Sequence, residues 1–409
     1  MRLAPVDLHS IKLEVPLPFS LVDSRGVLLA QKGFVFQTEK ILNDLGNHES
    51  GFYVDFADLS NPNLRAAEKD YVNRMLRKLH SQSSLEDVSK VQVKYVNDAA
   101  AAESGSEAFD WLNMVEICNS MLHTRDSDFF KRRLASMSDI LAHQLAVNPD
   151  ETLLALFYLA ENQAQYYSAT HCMLVCAIGV LTATTVLQWP AADVELLLRS
   201  ALTMNIGMVA LQDTLTAQRN PPDMSQRFII REHGSLSAQT LELFGIQDPS
   251  WLAVVRGHHA VIADPLNAVQ PTDRIIGLIQ RVDQFSAKLS ARAARKAQHS
   301  SEAMKSIYFN ADAKLDAMGA AILKAVGIYR PGSFVKLASG ELALVIRRGK
   351  NTATPIVAAI LNRDGIPRAA AAIRNTAEEK YAVLASVPSV NVHLKLNLEK
   401  ILELSLRSA

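Results

Sequence analysis

The chain has little cysteine and no surplus of charge of either sign. Three cysteines in 409 residues, Cys118, Cys172 and Cys176, are too few for a disulfide framework and suit a reducing compartment. Lysine plus arginine and aspartate plus glutamate both total 42, so no protein-wide basic footprint marks the chain for nucleic acid or an anionic membrane. Also lacking are a Ser-His-Asp motif, a P-loop, a Rossmann glycine pattern, zinc-finger spacing and any repeat at solenoid periods. The stretch from Met1 to Val15 carries Asp7, Lys12 and Glu14 and has no apolar core, so it does not read as a secretion signal. Charge is missing altogether from Asn162 to Ala192. A spanning helix needs about 20 mostly apolar residues. This run contains His171, four threonines and Gly179 and lacks basic anchors, so it reads as a buried core helix, not a membrane span. The expectation is a cytoplasmic protein with no transmembrane segment.

What is present is a large apolar fraction, 49%, with 21% charged residues, enough for a sizeable core divided over two or three domains. Residues 1–60 read as a β-rich module. A Ser24-Arg-Gly turn separates two apolar runs, a short helix runs from about Thr38 to Leu45, and Gly51 to Asp55 forms a further strand. Residues 61–108 read as a connector, with polar or small stretches at Ser81–Ser84 and Asp98–Ser106. Helical periodicity then dominates. Candidate helices are Phe109–Leu122, Phe129–Ala146, Asp150–Glu161, Ser168–Leu187 and Ala191–Met204, then Gln226–Leu243, Asp248–His258, Pro271–Leu289 and Ser300–Ala325. Leu196, Leu197, Leu202, Ile206, Val254, Ile275, Ile276 and Ile279 fall on the faces expected to be buried. After Tyr329 the period changes to two. Ser333–Arg347 reads as a hairpin around a Ser-Gly turn, Pro355–Leu361 as a strand, and Asn397–Leu404 as a closing helix.

Two segments carry a resemblance. The first is Leu196-Leu-Leu-Arg-Ser-Ala-Leu-Thr-Met-Asn-Ile-Gly-Met-Val-Ala-Leu-Gln-Asp-Thr-Leu215. It resembles the signature helix of the HD-GYP family, metal-dependent phosphodiesterases of bacterial cyclic di-GMP, which reads roughly L-x-x-A-A-L-x-H-D-I-G-K-I-x-I-P-D-x-I-L. The second, more specific segment is Gly327-Ile-Tyr-Arg-Pro-Gly-Ser-Phe-Val-Lys-Leu-Ala-Ser-Gly-Glu-Leu-Ala-Leu-Val345. It is similar to the strand appendage that follows the helical core in many members of that family, and it argues against the related HDOD fold. The resemblance covers most of residues 109–345. It implies a mainly α fold, an HD-superfamily helical bundle at 109–328. The β-rich module and connector precede it, and a small β appendage with a C-terminal helix follows at 329–409.

The same resemblance supplies the candidate site. His171 fits the first histidine of the family's ligand order, His233 the third, His258 and His259 the His-His step, and Asp283 the late aspartate. These five are the candidate metal ligands. Arg292 and Arg295 stand nearest the family's phosphate-facing cations. Against them, Met204 and Asn205 occupy the His-Asp positions, Met208 replaces the lysine, and Val261–Leu266 lacks the family's Gly-Tyr-Pro loop. A two-metal phosphodiesterase needs a carboxylate that bridges cations about 3.5–4 Å apart, and Asn205 cannot supply it. Each survivor also has a plainer reading. His171 suits a satisfied core histidine, and His258-His259 a helix C-terminus, where imidazolium meets the dipole favourably. Asp283 can pair with Arg281 or Lys288, His233 can sit in a polar turn, and the arginines can lie on a solvated helix face. Cys172 and Cys176, one helical turn apart, read as small core residues before metal ligands.

These readings lead to a catalytically inactive relative that serves as a regulatory, signalling or scaffold module in cyclic di-GMP pathways. The alternatives are a residual metal-dependent phosphodiesterase and a receptor that binds the dinucleotide without cutting it. Expected cofactors are none, or one weakly bound divalent ion. Expected partners are another signalling protein, with cyclic di-GMP as candidate ligand, a homodimer admitted, and no nucleic acid.

Overall fold

A computed structural model describes residues 109–289, 306–308, 315–389, 392 and 396–407, with short stretches at 3–5, 17, 20–22, 28–30, 34–36 and 53–55. The chain divides into two compact units, 1–104 and 105–409. In the first, the described strands β1 (Leu3–Pro5), β2 (Leu21–Val22), β3 (Leu28–Ala30) and β4 (Tyr53–Asp55) pair antiparallel in the order β1-β4-β2-β3. The expected turn at Ser24, the short helix from Thr38 and the connector lie outside the described residues, as do Arg292 and Arg295.

The second unit contributes eleven α-helices among the described residues. The first three are α1 (Trp111–His123), α2 (Ser127–Val147) and α3 (Pro149–Asn162). Asp110 and Asp126 start α1 and α2 by accepting backbone N–H groups that have no intrahelical partner, and Pro149 opens α3. Next comes α4 (Tyr167–Thr185), in which every residue from Tyr167 to Ala183 is buried. It has no polar face because helices surround it: α1, α2 and α3, then α5 (Ala191–Thr203), α6 (Val209–Ala217), α9 (Pro271–Leu289) and α10 (Ala317–Val326) all pack on it. That position explains the uncharged run. The segments Ala164–Thr185 and Ala191–Ala217 are long and apolar enough to cross a membrane by length and composition, and most of the first is buried inside the unit. All eight apolar residues expected in the core are buried.

The helix read from Ala191 to Met204 is α5, which ends at Thr203. A 3-10 turn then covers Ile206–Met208 and α6, which is not among the expected helices, begins at Val209, so the segment Leu196–Leu215 that resembles a signature helix is not one continuous helix. The break has a steric cause. The backbone at Gly207 touches α7 (Met224–Leu243) so closely that a Cβ would lie 2.4 Å from Ser237 N, and Gly207 N–H donates to Ser237 Oγ at 3.0 Å. Nor does the helix assigned to Ser300–Ala325 run unbroken. Asp316 is extended and caps α10, its carboxylate accepting from Gly319 N at 2.7 Å.

The C-terminal strands β5 (Phe334–Leu337), β6 (Leu342–Arg347), β7 (Ile356–Leu361), β8 (Pro367–Asn375) and β9 (Val383–Val387) form an antiparallel sheet in the order β8-β7-β6-β5-β9. The β5–β6 hairpin turns at Ser339-Gly340, where Gly340 adopts φ 82°. Alternation along the strands serves two cores. Phe334, Leu342, Leu344 and Ile346 join the helical core, whereas Val335, Ala343, Val345 and Val357 form a smaller one beneath Tyr329 and Tyr381. Ion pairs tie the sheet to α3: Arg348 Nε lies 2.6 Å from Asp150 Oδ1, and Arg330 pairs with Glu161 while lying over the Phe157 ring. The last helix, α11 (Leu398–Arg407), packs on α3 and β6.

Phe285 of α9 is fully buried and meets Phe157 edge-on, with ring centroids 6.5 Å apart. Removing a buried aromatic leaves a cavity, so Phe285→Ala should cost about 3–5 kcal/mol, read as a lower denaturant midpoint in chemical unfolding.

Candidate metal centre

A second glycine decides where the histidines meet. Helix α7 begins with a capping box, Asp223 and Gln226 exchanging side-chain and backbone bonds, and carries His233 in its middle. The next residue, Gly234, faces the last turn of α8 (Pro249–Gly257), where a Cβ would lie 2.6 Å from Arg256 O. Only glycine lets the two backbones come that close. His258 and His259 follow directly after α8, so the crossing at Gly234 delivers both to His233. His233 Nε2 lies 2.9 Å from His258 Nε2 and 3.1 Å from His259 Nε2. One ligand atom from each of the three falls within 4.8 Å of the others.

The hydrogen bonds set the tautomers. His233 Nδ1 lies 2.6 Å from Ile230 O, and His258 Nδ1 lies 2.7 Å from Val255 O. A carbonyl can only accept, so both Nδ1 atoms carry protons and donate them. In the neutral rings both Nε2 atoms then present lone pairs. Burial keeps these rings neutral: it lowers His258 to about 3, helped by the charge of His259, and it lowers His233, where His259 again adds to the effect. Lone pairs facing each other at such distances repel unless a cation sits among them. Neutral Nε2 atoms oriented by Nδ1–H bonds to backbone carbonyls are the usual form of histidine metal ligands. The three residues therefore fit one divalent ion.

His171 and Asp283 form a separate pair beside this cluster. His171 Nε2 on α4 lies 2.7 Å from Asp283 Oδ1 on α9, and the Tyr167 ring stacks on the imidazole, 6° from parallel. His171 Nδ1 is buried without a hydrogen-bond partner. Burial by itself would raise the Asp283 carboxyl. The hydrogen bond and charge of His171 outweigh it, with smaller contributions from His259 and His258, and hold it down to about 2. Asp283 is thus an ionised carboxylate within electrostatic reach of the imidazoles, with one oxygen engaged by His171. Neither of the arginine or lysine pairings read from the sequence takes it, since Arg281 pairs with Asp316 and Lys288 Nζ lies 2.6 Å from Ser306 Oγ. His233 lies within a helix, which rules out the polar-turn reading.

Met204, Asn205 and Met208 occupy the break between α5 and α6. Met204 and Asn205 are buried, and the Asn205 side chain does not cap the turn that it precedes. Nothing in this segment supplies a carboxylate that can bridge two cations. Cys118, Cys172 and Cys176 are buried free thiols, with Cys118 Sγ 3.6 Å from Cys172 Sγ, and burial in apolar surroundings raises Cys118 and Cys176. They are core residues. Sequence reasoning missed Gly234, Gly207 and Ser237, whose only signal is a small residue beside a ligand or inside a motif. It also missed a polar link from His123 Nε2 to Asp213 Oδ2 at 2.9 Å, with Ser168 Oγ donating to Asp213 Oδ1 at 2.6 Å.

The cluster's protonation and its close crossing can each be tested. A folded-state value of about 3 for His258, against an unfolded value near 6.5, means that the unfolded chain binds the extra proton between those pH values. Stability should rise with pH across that window and be lost toward acid, by up to roughly 1.4 kcal/mol per pH unit for each such proton. Urea titrations at a series of pH values should show His258→Phe flattening this slope by about one proton. Gly234→Ala should force α7 away from α8 at a cost of about 1–3 kcal/mol and weaken zinc binding more than about tenfold, as measured by calorimetry on the folded variant.

No protein-family profile matches the chain, and no curated protein does. Among solved structures it is similar to Bd1817, an HDG"Y"P protein from Bdellovibrio bacteriovorus, with a TM-score of 0.31 and 12% identity over 79% of this chain and 98% of that one. A match this remote assigns no role to any residue of this chain.

Proposed function

We propose that the chain is an HD-GYP-like regulatory module that holds one divalent metal ion and does not hydrolyse cyclic dinucleotides. The observation that carries this reading is the convergence of the His233, His258 and His259 Nε2 atoms, two of them with tautomers fixed for ligation by their backbone bonds. Imidazole donors suit zinc, iron or nickel before magnesium or calcium. When bound, such an ion would supply Lewis acidity and lower the pKa of a bound water. The protein's part is to keep the His233 and His258 rings neutral, hold their orientation and place the Asp283 charge nearby. A second ion has no bridging carboxylate to offset its charge, with Asn205 in the family's aspartate position and Asp283 engaged by His171. On this reading the module works in the cytoplasm through a partner protein in cyclic di-GMP signalling.

A second reading is a residual mononuclear phosphodiesterase. Three nitrogen ligands leave coordination positions open for water or substrate, as in catalytic zinc sites, and this observation favours it. One pair of measurements separates the two. Elemental analysis of purified protein should find at most one transition metal per chain, reduced to background in a His233→Ala, His258→Ala double variant. Chromatography of cyclic di-GMP incubated with the manganese- or iron-loaded chain should show no linear product above the no-enzyme rate. Turnover that disappears in His259→Ala would establish the phosphodiesterase instead.

A further inference from the structure

A cavity of about 690 Å³ opens between α2, the C-terminal end of α4, the N-terminal half of α5 and the start of α8. None of its lining residues belongs to the imidazole cluster or to the His171–Asp283 pair. Its volume is in the range of pockets that enclose a small organic molecule, about 300–1,000 Å³. The walls are mostly apolar, with Leu134, Val194, Leu198 and Ile246 beside two indoles, Trp189 and Trp251. The Trp251 ring is fixed in place: its Nε1–H donates to Thr203 Oγ1 at 3.0 Å, and the Arg199 guanidinium lies 5.1 Å from its ring centroid.

Two polar atoms on this lining make no hydrogen bond. Arg199 Nε is buried and makes no hydrogen bond, with Glu195 Oε1 as far as 3.9 Å away, and Ser138 Oγ is likewise buried and unpaired. The far end of the guanidinium, Nη2, lies 3.5 Å from Asp248 Oδ2, which leaves Nε without an acceptor. A buried donor without a hydrogen bond carries a desolvation penalty that an incoming acceptor relieves. The lining carboxylates do not fill that role. Glu195 has 69% of its side chain exposed, and Asp139 is exposed at the rim, where water solvates both. The interior therefore combines flat aromatic and aliphatic walls with an arginine whose Nε makes no hydrogen bond and whose two carboxylate neighbours stand at 3.5 and 3.9 Å.

We infer that this cavity is a binding site for a planar aromatic monoanion, an aryl carboxylate or sulfonate, which lies against Trp189 and Trp251 and presents its anionic oxygen to Arg199. One of the helices that line it, α8, leads directly into His258, so a bound molecule contacts an element that carries the candidate metal centre.

The probe is 8-anilino-1-naphthalenesulfonate, with its uncharged analogue N-phenyl-1-naphthylamine as control, titrated into the full chain and followed by energy transfer from tryptophan. The sulfonate should bind with one site per chain. Arg199→Met keeps the apolar stem and removes the donor. It should weaken the sulfonate by about tenfold or more, the worth of a charged hydrogen bond, and leave the neutral dye within about twofold. Ala142→Phe fills the mouth from an exposed position and should weaken both dyes by about tenfold or more, with the circular dichroism melt unchanged. Failure of the sulfonate to saturate one site overturns the inference. So does equal loss of both dyes in Arg199→Met, or unaltered binding in Ala142→Phe.

Discussion

The closeness with which α7 crosses the last turn of α8 sets everything about the metal centre. Gly234 makes that crossing, and a single added carbon would collide with Arg256 O at 2.6 Å. The crossing places a mid-helix histidine against two histidines that follow a helix end, and it does so with main-chain carbonyls aimed at the far nitrogens of two rings. Gly207 acts similarly on the other flank of α7, where its contact with Ser237 interrupts α5 and α6. Both glycines are placed where backbone meets backbone, so the geometry of the site is held by packing and not by the ligands themselves.

Electrostatics then determines what that geometry can hold. Burial keeps His233 and His258 neutral, and their Nδ1 protons are committed to carbonyls, so the cluster offers lone pairs that can hold a cation. The carboxylate best placed to add negative charge, Asp283, is engaged by His171 in a buried hydrogen-bonded pair. Breaking that pair would strand a buried charge, which typically costs about 3–5 kcal/mol. A site with three imidazoles and a diverted carboxylate can compensate one divalent ion more readily than two.

The helical core is largely legible in the sequence because its signal is periodic. Ile275, Ile276 and Ile279 recur at helical spacing and are buried, and the absence of charge from Asn162 to Ala192 is enough to mark the central helix. The β5–β6 hairpin is equally legible from its two-residue alternation and Ser-Gly turn. Strand β8 is not, since Pro367-Arg-Ala-Ala-Ala-Ala has little β preference and is held by pairing with β7. For the site, resemblance pointed to His171, His233, His258, His259 and Asp283, but it could not divide them into a trio and a pair. That division depends on which helices cross closely, and it is written in two glycines that have no side chain to attract notice. The end of α5 at Met204 is legible from its period, whereas α6 (Val209–Ala217) is not, because it is only nine residues long and begins after a turn imposed from outside.

The central claim is that three imidazoles hold a single ion. X-ray absorption at the zinc edge of the zinc-loaded protein tests it most directly. The account predicts three histidine nitrogens at about 2.0–2.1 Å, with light-atom ligands completing the shell and no metal–metal scattering. A second metal at about 3.5–4 Å, or a shell with fewer than two imidazoles, would contradict it.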